Sequence, residues 1–478
     1  MTGLEGAPLT FVNVFGGVVN KVGVNDGNRL VTASRFQTEQ LGGFQHYEFS
    51  VSQERLDEGA FITVTGNAPV ILETEGENAS TVGIGLSGEE ELAPGSYTLI
   101  NASAGFARLD GSVIAGGTSL DDLKTTVTTT TMPSIVRIET TTLETDDYDL
   151  ALNDSGKDLV MSIKNPGSSW SEANPETDAL IESSLSSYGT LFAADDLFVD
   201  TVMRSRTGGH DGLFAAARAG TWDLDSRGDT DTTIVSGLVG YAAHIAQTEF
   251  GGFIEMGHAT YDVRTYNGLA NVSGAGKHNY AGVGLYVNQS LPVEGWQVTA
   301  YLKGGAFSNR YDAQLAGVTT ELDRTRAYWG AHLGTHFDYQ IAKLRGRAFI
   351  SYFYDGVDSM SFNVKGHDGV EGARFEYDAL NAHRVQLGSL FEYDYSPTHR
   401  PYFGFALEQT LKAEASGQAH DSQGEISLRS SDLEGTTGIL SAGWTYEGND
   451  GFSFEFGLNG YAGTRNGVSG QIQGNWKF

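Results

Sequence analysis

The sequence predicts an all-β protein whose carboxy-terminal part closes into an antiparallel transmembrane β-barrel of about twelve strands, with a helix at its amino-terminal end and a β-rich region before that. Three observations carry this expectation. The last dozen residues, Gly467 to Phe478, alternate without a slip: Val468, Ile472, Trp476 and Phe478 fall on one face, and Ser469, Gln471, Gln473, Asn475 and Lys477 on the other. That pattern recurs about every 20 to 25 residues back to roughly Gly212, as in a barrel apolar outside and wet inside. No segment reaches the run of about 18 apolar residues that a membrane helix needs, which leaves a closed barrel as the way to satisfy every backbone group in a bilayer.

Composition narrows the function. The chain has 478 residues, with 60 Asp+Glu against 30 Lys+Arg and a formal net charge of -30. So acidic a chain does not suit nucleic acid, whose phosphates need a basic surface. It suits an exported protein kept soluble by self-repulsion. There is no cysteine, so stability has to come from β-ladders and not from disulfides. With 63 Gly and 9 Pro, the balance fits close strand approaches and tight turns. The stretch from Met1 to Pro8 lacks the basic and apolar regions of a secretory signal, so an exported protein would be represented here by a mature or truncated form.

From about residue 10 to 165 short β-runs are broken by Gly, Asn and Asp. They include Phe11 to Phe15, Phe61 to Thr65, Ser96 to Ile100, Ser134 to Ile138 and Leu159 to Ile163. A stacked parallel β-helix and a small sandwich both fit such runs. The threonines from Thr125 to Thr131 favour an extended strand. Texture changes at Asn165-Pro-Gly, a loop signal. A helix start follows at Asn174, with Pro175 at the first helical position and early acids. A second helical piece is expected after Gly189, over residues 190–204, closing near Arg206 and Gly208-Gly209. There Leu191, Ala194, Phe198 and Val202 share one face, Asp196 and Asp200 another. A helix set just ahead of a barrel has the lumen to occupy.

The expected strands are 211–222, 231–246, 249–264, 277–291, 295–310, 326–340, 343–356, 378–395, 399–415, 428–447, 450–464 and 467–478. Short connections alternate with long polar ones, as the two ends of an outer-membrane barrel would give. Trp222, Trp296, Trp329, Trp444 and Trp476 near strand ends fit interfacial girdles. Asp195, Asp196 and Asp200 crowd one side of the second helical piece, and confined carboxylates need facing cations. Strand alternation nominates Arg218, Lys303, Arg345 and Arg347, which sit opposite apolar neighbours.

Residues 211–478 resemble the translocator barrel of bacterial autotransporters, the type V secretion family, and the closing Gly474-Asn-Trp-Lys-Phe478 looks like the outer-membrane assembly signal. The helical piece is similar to the family's linker helix, and Phe61 to Gly66, Gly95 to Ile100 and Asp158 to Ile163 look like the last turns of a passenger stalk. The resemblance implies a β-helix-like passenger end over residues 1–165, a linker with its helix in the lumen over 166–210, and the barrel over 211–478. It implies an outer-membrane translocator that exports and anchors its own amino-terminal passenger at the cell surface. Its partners would be outer-membrane lipid and lipopolysaccharide, the barrel assembly machinery and a possible host-surface ligand, with the chain a monomer. Gly474, Trp476 and Phe478 would carry the assembly signal. Members that cut themselves do so at an asparagine in the linker helix; none lies between Leu191 and Arg206, so the passenger is expected to stay attached.

Other chemistry is weaker. His332 and His336 lie four apart on a strand, about 13 Å, too far for one metal ion. Glu255 with His258, and His383 with Arg384, lack a Ser or Asp at a spacing that would complete a hydrolase. Glu89 to Glu91 and Asp146-Asp147 lack the Gly-turned loop of a calcium site. The expectation is secretion and anchoring, with no catalysis, metal or cofactor. The alternative is a surface adhesin whose residues 10–165 bind a host or matrix ligand.

Overall fold

The computed structural model describes residues 9–15, 27–87, 92–203, 212–266, 271–315, 317–366, 370–448 and 451–477. The expectations for Met1 to Pro8, Glu89 to Glu91, Arg206, Gly208-Gly209 and Phe478 lie outside those residues. The chain divides into two units, one of residues 1–131 and 138–172 and one of residues 132–137 and 173–478.

In the first unit, short strands stack in parallel and in register. Phe36–Gly42 pairs with Ile62–Val64, and that with Gly95–Ala102, so Phe36, Ile62 and Ile100 form one ladder. A second sheet does the same through His46–Val51, Thr81–Leu86 and Lys124–Thr131. The parallel register puts inward positions above one another although the sequence spacing between strands varies, and Phe49, Phe61, Ile62, Ile84, Leu99 and Ile100 are fully buried between the sheets. The stack ends in antiparallel strands, Asp158–Ile163 beside Gly95–Ala102 and Tyr148–Leu152 beyond it. The run of threonines is the strand Lys124–Thr131. Ser134 to Ile138 is not the strand expected of it: regular structure resumes only at Arg137, and residues 132–137 belong with the second unit. Pro133 has no N–H to give a ladder, which is why the strand stops there.

The second unit is a closed barrel of twelve antiparallel strands. In chain order they are strand 1 (Gly212–Asp225), 2 (Asp229–Ile245), 3 (Thr248–Tyr266), 4 (Asn271–Ser290), 5 (Trp296–Leu315), 6 (Val318–Ile341), 7 (Leu344–Val357), 8 (Leu380–Tyr393), 9 (His399–Ala415), 10 (Gly435–Glu447), 11 (Phe452–Gly463) and 12 (Arg465–Trp476). Each pairs with its sequence neighbour, and strand 12 closes on strand 1 with Trp476 opposite Leu213. Odd and even positions separate as a period of two requires. Val468, Ile472 and Trp476 face out, while Ser469, Gln471, Gln473 and Asn475 face in and are buried. Leu285, Leu302, Leu387, Leu407 and Phe456 cover the outside of other strands.

Inside, aromatic rings lie across glycines of the next strand. A Cβ built on Gly251 would come within 2.1 Å of the Tyr286 ring, and one on Gly276 within 2.2 Å of Tyr261. Gly240 under Phe214 and Gly284 under Phe253 make the same close approach. Trp222 departs from the girdle expected of it. It shares the parity of Arg218 and Leu224 on strand 1, so it points inward, buried at 1% exposure, with its ring 5.9 Å from that of Tyr461. Connections 2–3, 4–5, 6–7 and 8–9 are all tight turns and mark one end of the barrel, the tight-turn end; connections 1–2, 5–6 and 11–12 at the opposite end are as short, so the expected alternation of short and long connections does not hold throughout. At the other end the connections 7–8 and 9–10 form a four-stranded sheet of Met360–Val364, Ala373–Tyr377, Gly417–Asp421 and Gly424–Ser427.

The helix is one piece, Asp178–Val202, entered through a 3-10 turn at Pro175–Thr177. Asn174 caps that entry, its side-chain oxygen accepting from the Glu176 N–H at 3.1 Å. Gly189 does not break it. A Cβ there would sit 3.1 Å from Leu224 on strand 1, so the glycine is a point of close packing against the barrel wall. A helix enclosed on all sides can carry a residue that an exposed helix would fray at.

Candidate functional site: the filled lumen

Every residue of the helix is buried, the polar ones included. A solvated face is therefore replaced by the inner wall, and each charge needs a partner there. Asp195 receives Lys303 of strand 5 at 2.8 Å, Arg384 of strand 8 at 2.8 Å and the Tyr301 hydroxyl at 2.5 Å. Asp196 faces Arg465 of strand 12 at 2.9 Å, with Arg384 at 3.6 Å and Arg218 of strand 1 at 3.7 Å. Asp200 is held by Arg218. The wall adds its own acids: Arg384 reaches Glu408 of strand 9 at 2.7 Å, Arg465 reaches it at 3.2 Å, and Lys303 meets Glu255 of strand 3 at 3.3 Å. Three adjacent helical carboxylates are thus tied to strands 1, 5, 8 and 12, spread around the barrel.

Of the cations nominated from sequence, Arg218 and Lys303 are brought to the aspartates and Arg345 and Arg347 are not. Arg345 pairs with Asp394 at 3.1 Å beside a tight turn. Arg347 holds Asp338 at 2.5 and 2.7 Å and donates to the Met203 carbonyl at the helix's last turn. Height decides this. At 1.5 Å per residue, Asp195 lies about 12 Å up the axis from Met203, while both arginines sit near the start of strand 7 at the tight-turn end. Arg347 takes up an orphan carbonyl and opposes the negative end of the helix dipole.

Arg384 and Arg465 were missed. Arg384 has the inward parity and an apolar neighbour in Val385, so the rule applied to Arg218 would have found it. Arg465 fell in the gap between two expected strands, where parity had no meaning until strand 12 was known to begin there.

Apolar and neutral contacts fill the remainder. Phe198 packs among Phe253, Tyr286 and Tyr301, with ring centroids 4.5, 5.4 and 4.7 Å away. Arg384 also lies over the Phe192 ring at 3.8 Å. His278 bonds the Ser186 and Thr190 hydroxyls at 3.3 and 3.0 Å. Beneath the helix a cavity of about 800 Å³ at the tight-turn end is lined by Met203, Glu249, His336, Arg347 and Glu392 among others.

The pairs weighed for hydrolysis separate by parity. Glu255 faces in, whereas His258 faces out and bonds Asn279 at 2.8 Å. Arg384 faces in, whereas His383 bonds Tyr352 outside at 2.6 Å. His332 stacks on Tyr301 with centroids 5.2 Å apart, and His336 turns to Asp338 at 3.8 Å. Among the described residues no three His, Cys, Asp or Glu side chains group as metal ligands. At the carboxy-terminus, Trp476 is 43% exposed on the outer face and packs on Phe452, with centroids 5.3 Å apart. The Trp476 ring lies 3.1 Å from where a Cβ on Gly474 would stand.

The family model described as autotransporter beta-domain matches residues 213–459. Among solved structures the chain is similar to the β-domain of the Bordetella autotransporter BrkA, at 15% identity over 56% of this chain and 99% of that one with a TM-score of 0.42. It is similar to the transport unit of AIDA-I from Escherichia coli, at 13% identity, 64% and 99% coverage and a TM-score of 0.45. It is also similar to the translocator domain of NalP from Neisseria meningitidis, at 12% identity, 63% and 99% coverage and a TM-score of 0.48. No curated protein matches the chain in sequence.

Proposed function

Because the chain belongs to the autotransporter family and is an outer-membrane translocator with a surface-exposed passenger, we propose that its lumen helix remains in the pore after export as an ion-paired plug. The observation that carries this reading is the set of bonds from Asp195, Asp196 and Asp200 to four separate strands. A helix so held closes a wet channel that would otherwise leak. Residues 1–165 are read as the end of the passenger, 166–210 as its linker and 211–478 as the translocator. The parallel, in-register ladders of the first unit support an outward stacking of passenger turns, each adding contacts only to its neighbour, so that export is drawn by folding outside. Lipopolysaccharide against the outer face, and the barrel assembly machinery reading Gly474, Trp476 and Phe478, are the partners this reading calls for.

The test is single-channel recording of the purified, full-length protein in planar bilayers. A helix held in the lumen gives traces that stay closed apart from rare openings. A steadily open channel from a correctly inserted barrel would overturn the reading.

A further inference from the structure

The strand Lys124–Thr131 stops at Met132-Pro133, and the six residues that follow pack with the barrel unit. Ser134 bridges Glu371 in parallel, the Ile135 N–H donating to the Glu371 carbonyl at 3.0 Å and the Glu371 N–H to the Pro133 carbonyl at 3.2 Å. Ile135 and Val136 are fully buried in the barrel unit's core. The Ser134 hydroxyl donates to Asp421 at 2.7 Å, and Arg137 makes a two-pronged contact with the same carboxylate at 2.8 and 3.1 Å. A further Arg137 N–H reaches the Gly424 carbonyl at 3.4 Å. Asn174, which caps the 3-10 turn leading into the lumen helix, closes the joint by donating from its amide to the Ile135 carbonyl and from its backbone to the Val136 carbonyl, each at 2.8 Å.

We propose that the four-stranded outer sheet is a receptor for residues 132–137, and that the Arg137–Asp421 pair locks this segment down once export has delivered it. The segment precedes the helix in the chain, so it must leave the lumen before the helix can settle there. Until it arrives, Asp421 stands on an outer loop where water solvates its carboxylate at no cost. On docking, the Asp421 side chain is sealed from solvent and gains a planar, two-bonded cation, the strongest pairing available to a carboxylate. Asn174 bonds the docked segment and also caps the turn that enters the helix, so the lock and the plug set together. The lock rests on the export reading, on which outer-membrane fractionation reports separately.

The chain has no cysteine, so single-cysteine chemistry on intact cells reads the lock directly. Ser134 is 1% exposed and Met132 42%. With a membrane-impermeant maleimide, Ser134→Cys should label at least about tenfold more slowly than Met132→Cys, as a docked segment opens only transiently. Adding Asp421→Asn to Ser134→Cys should bring its rate close to that of Met132→Cys. Equal rates without the Asp421 change, or continued protection with it, would overturn the proposal. Should Asp421→Asn fail to reach the outer membrane, the pair Ser134→Cys with Glu371→Cys decides. Neighbouring ladder positions lie about 4.8 Å apart, within disulfide reach. A disulfide in the exported chain supports docking, and a reduced pair under oxidant refutes it.

Discussion

Replacing Arg384 by Met should unplug the barrel without dismantling it. The guanidinium is fully buried, bonded to Asp195 at 2.8 Å and to Glu408 at 2.7 Å, both also buried. Removing one member of such a buried pair costs about 3–5 kcal/mol, because the remaining charge has lost its compensation. Here the lower end applies. Asp195 keeps Lys303 and Tyr301, and Glu408 keeps Arg465 at 3.2 Å and Gln386 at 2.6 Å. Met retains apolar contact with Phe192 and Phe353, so the loss is mainly electrostatic. About 3 kcal/mol is a factor of roughly 150 in the ratio of plugged to open pores. Single-channel recording in planar bilayers should show open events more frequent by about that factor, with heat-modifiable migration on gels unchanged. The control is Arg345→Ser. Its pair with Asp394 is solvent-accessible, 43% exposed on the arginine side, and is worth about 0–1 kcal/mol, so conductance should match the parent. If Arg384→Met is as silent as Arg345→Ser while remaining inserted, ion pairs do not hold the plug.

Deleting Phe478 should leave the chain in the periplasm by fractionation, if the terminal aromatic is read for assembly; unchanged insertion would remove that role. Mass spectrometry of purified outer membranes should find one intact chain, and a break between Leu191 and Arg206 would contradict it. Gly189→Val should lower the heat-modifiability midpoint by overpacking against Leu224, costing about 1–3 kcal/mol, and a rise would mean the wall yields there. Burial pushes the Asp421 carboxyl up, but the hydrogen bonds from Arg137 and Ser134 and the Arg137 charge outweigh it and hold it below the usual range. A depressed carboxyl stabilises docking at pH above its ordinary value of about 3.9, and that stability is lost as pH falls through the lowered folded value. Pepsin cleavage at residues 132–137 should therefore show an acid-induced step in the parent that Asp421→Asn lacks. A step unaltered in the variant would assign it to another group.

Alternation alone determined the barrel, its strand count and which residues face lipid, because a period of two converts position directly into face and a bilayer tolerates no unpaired backbone. It also determined that Arg218 and Lys303 point inward. What alternation cannot supply is height along the axis, which depends on where every strand begins and how each is staggered against the next. Arg345 and Arg347 therefore had the right face and the wrong level, and Arg465 had no face at all until strand 12 was known to start at it. The single helix through Gly189 was hidden for a related reason, since a glycine that ends a helix in water continues one when Leu224 closes over it. Residues 132–137 were the least legible. Their short β-branched run reads as a strand of its own region, and only the folded chain joins Ser134 and Arg137 to Asp421, more than 280 positions away, because such a contact is set by tertiary packing and leaves no local period to read.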